Sequence, residues 1–216
     1  LSKTTQPTFS SADQTYLNEA APFSIVVADI AGPISPPSPN GMRSVVAFTA
    51  LPVKWRFSVA MTRKVDVLEA FVRFCAFVRS LGHEVKGMVL QTDAEEVLID
   101  GAFAAHCESV GVVLRHSPPG LKEMNGFAEN AFRHLWPMVR ALLNNMQVDL
   151  KYWPYAVHHV TWLRNRLPNA SIGFKSPFEL VYGYAPDLTC VRVFWSPVFA
   201  WIDPKTRDKL TNTSLS

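Results

Sequence analysis

The sequence is poor in cysteine, in charge and in long apolar runs, and each shortage excludes a class of protein. Its 216 residues include only 3 cysteines (Cys75, Cys107 and Cys190), so a disulfide framework is unfavourable and small core thiols in a reducing compartment are expected. No apolar stretch approaches the roughly 20 residues of a membrane span, so no membrane association is expected. A content of 48% hydrophobic and 18% charged residues argues against disorder and coiled coils.

The amino terminus has neither an initiating methionine nor the features of a signal peptide. The chain begins with Leu1 rather than Met, and the residues that follow lack the basic and apolar segments of a signal peptide. We therefore expect this chain to be a piece of a longer polypeptide. Its length fits one mid-sized domain, or one domain with a short appendage.

The net charge of +3 is small but unevenly distributed along the chain. Residues 1–129 carry 11 basic and 13 acidic side chains, whereas residues 130–216 carry 10 basic and 5 acidic side chains. The basic excess of the second part permits a polyanionic partner without requiring one.

Hydrophobic periodicity predicts an α/β fold with a mixed five-stranded sheet flanked by helices. Three consecutive β-rich runs with short turns indicate an antiparallel meander at the start of the sheet. The predicted strands are 24–30, 43–51, 55–61, 85–92 and a short buried strand over 112–116. The predicted helices are 64–81, 102–110, one opened by Gly126, and 154–166.

Three carboxylates lie at informative places in this order of elements. Asp29 and Asp93 end the first and fourth predicted strands, and Glu129 lies in the first turn of a predicted helix. If those strands are neighbours, the three side chains can converge, and their mutual repulsion favours a hard cation such as Mg²⁺ or Mn²⁺. Acidic residues are also common at strand ends and helix starts for structural reasons, so position alone leaves both readings open.

Spacing and context resemble the D-D-E catalytic core of retroviral and retrotransposon integrases, most of all those of copia-type LTR retrotransposons. Between Asp29 and Asp93 lie 63 residues, and between Asp93 and Glu129 lie 35. The first acid precedes Gly32-Pro33, the second follows Gln91-Thr92, and the third follows a Pro-rich loop and the segment 125–128 (Asn-Gly-Phe-Ala). Each context is similar to the motif that this family has at the corresponding acid.

The resemblance continues beyond the acids and covers about residues 3–203. Residues 153–168, which end in Asn165-Arg166-Leu167-Pro168, are similar to the family's "FWxxAv…yxxNRxP" helix. Residues 176–186 are similar to its "TPyElwxGxxP" segment, and residues 192–194 (Arg-Val-Phe) match its "LRvFG" strand.

This resemblance implies an RNase H-like fold and metal-dependent polynucleotidyl transfer that joins the 3′ ends of element cDNA to target DNA. Asp29, Asp93 and Glu129 would hold two Mg²⁺ or Mn²⁺ ions, and residues 117–125 would form a mobile active-site loop. The implied partners are double-stranded DNA and further copies of the chain. The implied location is a cytoplasmic virus-like particle and then the host nucleus. The candidate DNA-binding residues are Lys122, Asn125, Arg133 and Arg140, with Lys151, Arg164 and Arg166 as further basic candidates.

The same resemblance suggests a division of the chain. Residues 1–20 would be a linker that follows a zinc-binding arm, residues 21–183 the catalytic core, and residues 184–216 the start of a C-terminal extension. The histidines and cysteines present here lack metal-ligand spacing, so no zinc site is predicted within the chain.

Three departures from the family pattern keep alternative functions open. Glu95 and Glu96 stand where the family usually has two glycines, and their charges would repel DNA. Asn130 and Ala131 stand where basic residues usually follow the third acid, and Pro137 lies inside the same helix. The alternatives are a diverged, weak or inactive domain that acts only in DNA binding or protein interaction, and a hydrolytic nuclease.

Overall fold

The computed structural model describes residues 20–92, 98, 101–116, 122–198, 200–201 and 214–215. For residues 116, 122–131, 200–201 and 214–215 it describes the backbone alone. Residues 1–19 of the predicted linker and the candidate metal ligand Asp93 therefore lie outside the described residues.

A five-stranded mixed sheet forms the centre of the domain, as the sequence predicts. The first strands are β1 (Ile25–Ala31), β2 (Ser44–Leu51) and β3 (Trp55–Met61), and they form an antiparallel meander. The strands β4 (Val89–Thr92) and β5 (Val113–His116) are added in parallel on the other side of β1, which gives the order β3-β2-β1-β4-β5.

Five α-helices lie entirely among the described residues. They are α1 (Val67–Ser80), α2 (Ala102–Ser109), α3 (Lys122–Asn145), α4 (Trp153–Arg166) and α5 (Pro177–Tyr182). Single 3-10 turns occur at Lys64–Asp66, Leu150–Tyr152 and Ala170–Ile172, and a short antiparallel pair joins β6 (Ala200–Trp201) to β7 (Ser214–Leu215). None of the described helices has the length and apolar character needed to cross a bilayer.

Helices α1 and α2 pack on one face of the sheet through a dry aromatic core. Phe71 and Phe74 of α1 are fully buried, and Phe74 stacks on Phe48 of β2 with ring centroids 5.0 Å apart. Phe71 contacts Phe103 of α2 at 5.3 Å. The apolar stripe of α1 thus forms the core that its periodicity predicts.

Helices α3 and α4 cover the opposite face. Leu135 and Val139 of α3 join Val157 and Val160 of α4 in a second buried cluster against β2, where Ala47 lies. Alternate residues of β1 therefore face different helix pairs, because successive strand side chains point to opposite sides.

Four details differ from the sequence-based predictions. Strand β4 begins at Val89 rather than at residue 85, because Gly87 turns the chain at a φ of 83°. Val113 is 47% exposed, so β5 is an edge strand and not a buried one. Cys190 is exposed rather than a core filler, whereas the other two cysteines are buried. Finally, α3 begins at Lys122, so Gly126 lies inside it, and residues 122–125 of the predicted loop are helical.

Candidate active site

Asp29 lies near the end of β1 on the sheet face that α3 and α4 cover. It pairs with Ala47 of β2, which belongs to the cluster beneath α3, and paired residues share a face. Its neighbours Ala28 and Ile30 belong instead to the aromatic core on the other face. Asp29 is half-buried.

The second candidate acid follows the strand that adjoins β1. Strands β1 and β4 are parallel neighbours, and Ala28 pairs with Thr92. The residue before Asp29 is thus paired with the residue before Asp93 in the sequence. The condition that the sequence analysis set for convergence, that strands one and four be adjacent, is met.

The third candidate acid belongs to the helix that packs on the same face. Helix α3 contacts both β1 and β2, and position 129 lies one helical turn before the buried Phe132. Because the side chain of Glu129 is outside the described residues, the structure establishes its helix and not its contacts.

A close backbone approach explains the Gly-Pro that follows Asp29. Gly32 has a φ of 154°, and a Cβ atom there would lie 2.6 Å from Oγ of Ser44 and 2.9 Å from the carbonyl oxygen of Arg43. Only glycine fits this turn without a shift of the neighbouring strand. The turn fixes the exit of the chain directly beyond the candidate metal ligand.

Specific hydrogen bonds hold α4 against the edge strand β3. The Asn165 side chain accepts from the backbone N–H of Arg56 at 2.8 Å and donates to the Arg56 carbonyl at 2.7 Å. Thr161 Oγ1 donates to Ser58 Oγ at 3.1 Å. Asn165 thus satisfies backbone groups at the open side of an edge strand, which would otherwise lack partners.

A further bond ties the start of α4 to the loop after β1. The indole N–H of the buried Trp153 donates to the carbonyl oxygen of Pro36 at 3.2 Å. The sequence analysis left the role of Asn165 unassigned. The Asn-Arg-x-Pro pattern marked Asn165 in the sequence. Its binding partner, Arg56, lies 109 residues earlier in the chain, so the pattern alone did not indicate the contact.

The basic candidates for DNA contact divide into two groups. Arg133 and Arg140 are exposed on α3, seven residues apart and therefore on one side of the helix. Lys151 instead pairs with Asp149 at 2.9 Å, and the Arg166 guanidinium lies 3.9 Å above the Trp162 ring. The backbone of Lys122 and Asn125 is helical, and their side chains lie outside the described residues.

The described part of the chain contains no cluster of three or more His, Cys, Asp or Glu side chains that could hold a metal ion. Of the three candidate ligands, only Asp29 has a described side chain, and it makes a polar or charged interaction within the protein. The predicted convergence of Asp29, Asp93 and Glu129 therefore remains a prediction.

Comparison with curated proteins finds relatives among transposon polyproteins. The chain is 26% identical over 199 residues to the retrovirus-related Pol polyprotein from transposon RE2 of Arabidopsis thaliana, which covers 92% of this chain and 13% of the relative. It is 27% identical over 203 residues to the corresponding polyprotein of transposon RE1 from the same plant, covering 93% and 13%. For the polyprotein from transposon TNT 1-94 of Nicotiana tabacum the identity is 26% over 192 residues, covering 88% and 14%.

The chain thus spans about one-eighth of the length of the curated relatives that it matches. No protein-family model matches it.

Comparison with solved structures identifies the fold. The simian T-cell lymphotropic virus intasome, in complex with the PP2A regulatory subunit B56 gamma, contains a chain that superposes with a TM-score of 0.59 at 16% identity, covering 89% of this chain and 66% of that one. The HTLV-2 integrase catalytic core domain, in complex with magnesium and in a trimeric form, gives a TM-score of 0.56 at 13% identity, covering 73% and 95%.

The sequence matches and the fold agree with the resemblance drawn from the motifs. The five-stranded mixed sheet with flanking helices matches integrase catalytic cores. The chain is therefore homologous to retrovirus-related Pol polyproteins of plant copia-type transposons, and it has the fold of a retroviral integrase catalytic core.

Proposed function

We propose that the chain is the catalytic core of a retrotransposon integrase, which joins the 3′ ends of element cDNA to target DNA. The observation that carries this proposal is the parallel pairing of β1 with β4, where Ala28 faces Thr92 directly before the two aspartates. The homology to Pol polyproteins and the integrase-core fold support it.

In this proposal Asp29, Asp93 and Glu129 form the metal site. Their carboxylates are an all-oxygen donor set of the kind that Mg²⁺ and Mn²⁺ prefer, and the related HTLV-2 core was solved in complex with magnesium. We propose two ions, which when bound would supply activation of the 3′-hydroxyl and charge neutralisation at the phosphate. The half-buried position of Asp29 at a strand end suits a ligand that must meet solvent-borne ions and DNA.

The chain itself would contribute positioning and electrostatics rather than a covalent intermediate. The anchoring of α4 to β3 and of Trp153 to the loop after β1 fixes the helix layer over Asp29. Arg133 and Arg140, exposed on α3, would contact phosphates, as would Lys122 and Asn125 near the start of that helix.

We also propose the domain boundaries, assembly and location that the family resemblance implies. The core would comprise residues 21–183 between the linker over residues 1–20 and the C-terminal extension from residue 184. It would act as a homo-oligomer, since one structural relative is an intasome and another a trimeric form. It would pass from a cytoplasmic particle to the host nucleus.

A second candidate function is favoured by one feature of the sequence. Glu95 and Glu96 lie two and three residues after the second acid and add two negative charges where a phosphate would approach. A domain with these charges could retain the fold and bind DNA or protein while its catalytic activity is weak or lost.

A strand-transfer assay with Mn²⁺ and a labelled duplex that ends in a free 3′-hydroxyl tests the proposal. We expect joined products with the wild-type chain, none with Asp29→Asn, Asp93→Asn or Glu129→Gln, and wild-type yield with Glu108→Gln. Glu108 is a matched control because it is exposed on α2, at the other face of the sheet.

The double substitution Glu95→Gly with Glu96→Gly separates the two candidate functions. We expect it to raise the yield, because it removes two charges that repel DNA. If neither the wild type nor this variant yields product, the catalytic proposal is wrong and the binding function remains. Cleavage without joining would instead indicate a hydrolytic nuclease.

A further inference from the structure

We propose that the aromatic rings of Tyr152, Tyr155 and Trp195 form a stacking surface for an unpaired DNA base, here named the aromatic platform. The rings belong to the 3-10 turn before α4, to α4 and to the segment that follows α5, so the fold brings them together. The inference rests on the proposed function. It adds a ligand class, unpaired nucleotides, on a surface other than the exposed side of α3.

The three rings contact one another and remain accessible to solvent. The ring centroid of Trp195 lies 4.9 Å from that of Tyr152 and 6.4 Å from that of Tyr155, and the two tyrosine centroids are 6.2 Å apart. Trp195 is nevertheless 46% exposed and Tyr155 is 54% exposed. A group of contacting rings with this much open surface provides faces on which a planar ligand can stack.

Trp195 adopts a backbone conformation that its side chain does not favour. Its φ is 64°, in the left-handed region where glycine and asparagine are usual and bulky residues are rare. Strain of this kind occurs most often at functional sites. The preceding residue, Phe194, is buried in the apolar cluster of α3 and α4 and supplies the packing anchor of the segment. A role of the exposed Trp195 ring in ligand binding therefore accounts for the strained position better than packing does.

A cavity of about 680 Å³ adjoins the aromatic platform. It is lined by His159 and Trp162 of α4 and by residues 190–198, so Trp195 belongs both to the cavity and to the platform. The volume lies within the range of about 300–1,000 Å³ that is usual for small-ligand sites. A nucleotide stacked on the platform therefore has room for its sugar and phosphate beside α4.

Arg192 supplies a positive charge at this cavity. It is exposed, and its Nη1 donates to the carbonyl oxygens of Thr189 and Val191 at 2.9 Å and 3.0 Å. These bonds hold the guanidinium without neutralising it, and Arg192 forms no ion pair within the described part of the chain.

No carboxylate offsets that charge inside the cavity. The lining residues include neither Asp nor Glu, and the carboxylate of the nearby Asp187 accepts from the backbone N–H of Thr189. The site thus combines aromatic faces with one cation. This combination suits an aromatic ring that carries a phosphate, as a nucleotide does.

The aromatic platform lies at the same end of the sheet as the candidate metal site. Tyr152 directly precedes Trp153, whose indole N–H donates to Pro36 in the loop after β1. Asp29 lies near the end of β1 that leads into this loop. A DNA end held at Asp29 could therefore extend a base to the platform. Bases that are already unpaired cost the least to move out of a stack, so a single-stranded DNA end is the favoured ligand.

The test measures binding of the full chain to two labelled duplexes by fluorescence anisotropy, without divalent metal. One duplex is blunt and the other has an unpaired 3′ extension, with the same total number of phosphates, so the difference in affinity reports the unpaired bases. We expect the wild type to bind the extended duplex at least about fivefold more tightly, the lower end of the effect of one stacked base. The fluorescence of a 2-aminopurine in the extension should be quenched on binding, which contacts to phosphates alone would not cause.

Trp195→Gly separates stacking from folding. Glycine adopts the φ of 64° without strain, which offsets part of the lost ring contacts, so the melting temperature should change little. We expect this variant to lose both the preference and the quenching, Tyr155→Ala to weaken both, and Trp195→Phe to retain most of them. Phe174→Gly is the matched control, because Phe174 is 75% exposed at a φ of 60° and lies outside the platform.

The inference is wrong if the wild type binds both duplexes equally, or if Trp195→Gly and Tyr155→Ala behave like Phe174→Gly. It is also wrong if size-exclusion chromatography shows a dimer that Trp195→Gly dissociates, since the platform would then bind a second copy of the chain. If Trp195→Gly does not fold, Tyr155→Ala decides alone, because its exposed ring can be removed without a core cavity. A chain that prefers the extended duplex but joins no DNA would overturn the proposed catalysis alone.

Discussion

The two faces of the central sheet are built from different chemistry. On the α1 side the contacts are aromatic and dry, with Phe48, Phe71 and Phe74 fully buried. On the α3–α4 side the strands carry Asp29, Thr49, Ser58 and Arg56, and polar bonds fasten the helix to the sheet.

This difference separates stability from function within one sheet. The aromatic face is stabilised by buried apolar area, and this stabilisation does not depend on hydrogen-bond geometry. The polar face holds charged side chains in half-buried positions, which is unfavourable unless a ligand or a partner compensates them. The candidate metal ligand Asp29 lies on the α3–α4 side, so function is expected there.

The largest effect is expected from a cavity in the aromatic face. Phe74→Ala removes a ring that is fully buried and contacts Phe48, Phe57 and Phe71. We expect the free energy of unfolding to fall by about 3–5 kcal/mol in urea denaturation. The matched control is Phe174→Ala, at a side chain that is 75% exposed, where the change should stay within about 0.5 kcal/mol. Equal effects of the two substitutions would contradict this description of the core.

The polar face should be sensitive to the loss of one amide. Asn165 is 4% exposed, and Asn165→Ala would leave the backbone N–H and carbonyl of Arg56 without these partners. We expect a loss of about 2–3 kcal/mol in unfolding free energy. Asn144→Ala, at an exposed position of α3, should change it by less than about 0.5 kcal/mol. A loss at Asn165 no greater than at Asn144 would show that the amide does not hold α4 to β3.

The charge of the polar face should appear in the pH dependence of stability. The pKa of Lys54 is lowered from 10.5 to about 8, first by burial and then by Arg56. Between these values the unfolded chain binds more protons than the folded one, so stability rises with pH. Burial raises the pKa values of Cys75 and Cys107 above the usual 9.0, which opposes this trend only above about pH 9.

The substitution Lys54→Met isolates that contribution. Between pH 8 and pH 9 we expect the unfolding free energy of the wild type to rise relative to the variant by up to about 1 kcal/mol. Denaturant titrations at the two pH values measure it. Parallel pH profiles for the two proteins would refute the assignment to Lys54.

The smallest effects should differ in sign between two threonines of the polar face. Thr49 is 5% exposed, and its hydroxyl has no hydrogen-bond partner in the described part of the chain. We expect Thr49→Val to stabilise the protein by up to about 1 kcal/mol, because a buried polar group without a partner is removed. Thr161→Val loses the bond to Ser58 and should destabilise by about 1 kcal/mol. Thermal unfolding of the two variants measures the shift in Tm of each relative to the wild type. Shifts of the same sign would contradict the different roles given to Thr49 and Thr161.

Local sequence patterns predict much of the fold, and their errors have physical causes. Period-two runs predict the meander β1–β3 closely, since alternation reports a half-buried strand. The start of α3 was placed too late, at Gly126, because glycine inside a helix costs only about 1 kcal/mol and favourable neighbours outweigh it. The apolar residues before β4 are buried in a turn, which periodicity does not distinguish from a strand.

The candidate site shows a different limit. Motif spacing selects Asp29, Asp93 and Glu129, and the strand order agrees with their convergence. The contact between Asn165 and Arg56 was not predicted. It joins residues 109 positions apart, and no local pattern specifies such a contact.

The most direct test of the central claim is a crystal structure of the chain soaked in Mn²⁺, with anomalous scattering recorded at the manganese edge. We predict an anomalous peak about 2.1 Å from a carboxylate oxygen of Asp29 and within coordination distance of Asp93 or Glu129. The peak should be absent from an Asp29→Asn crystal. A saturating soak with no peak at Asp29, or with Asp93 and Glu129 both remote from it, would contradict the account.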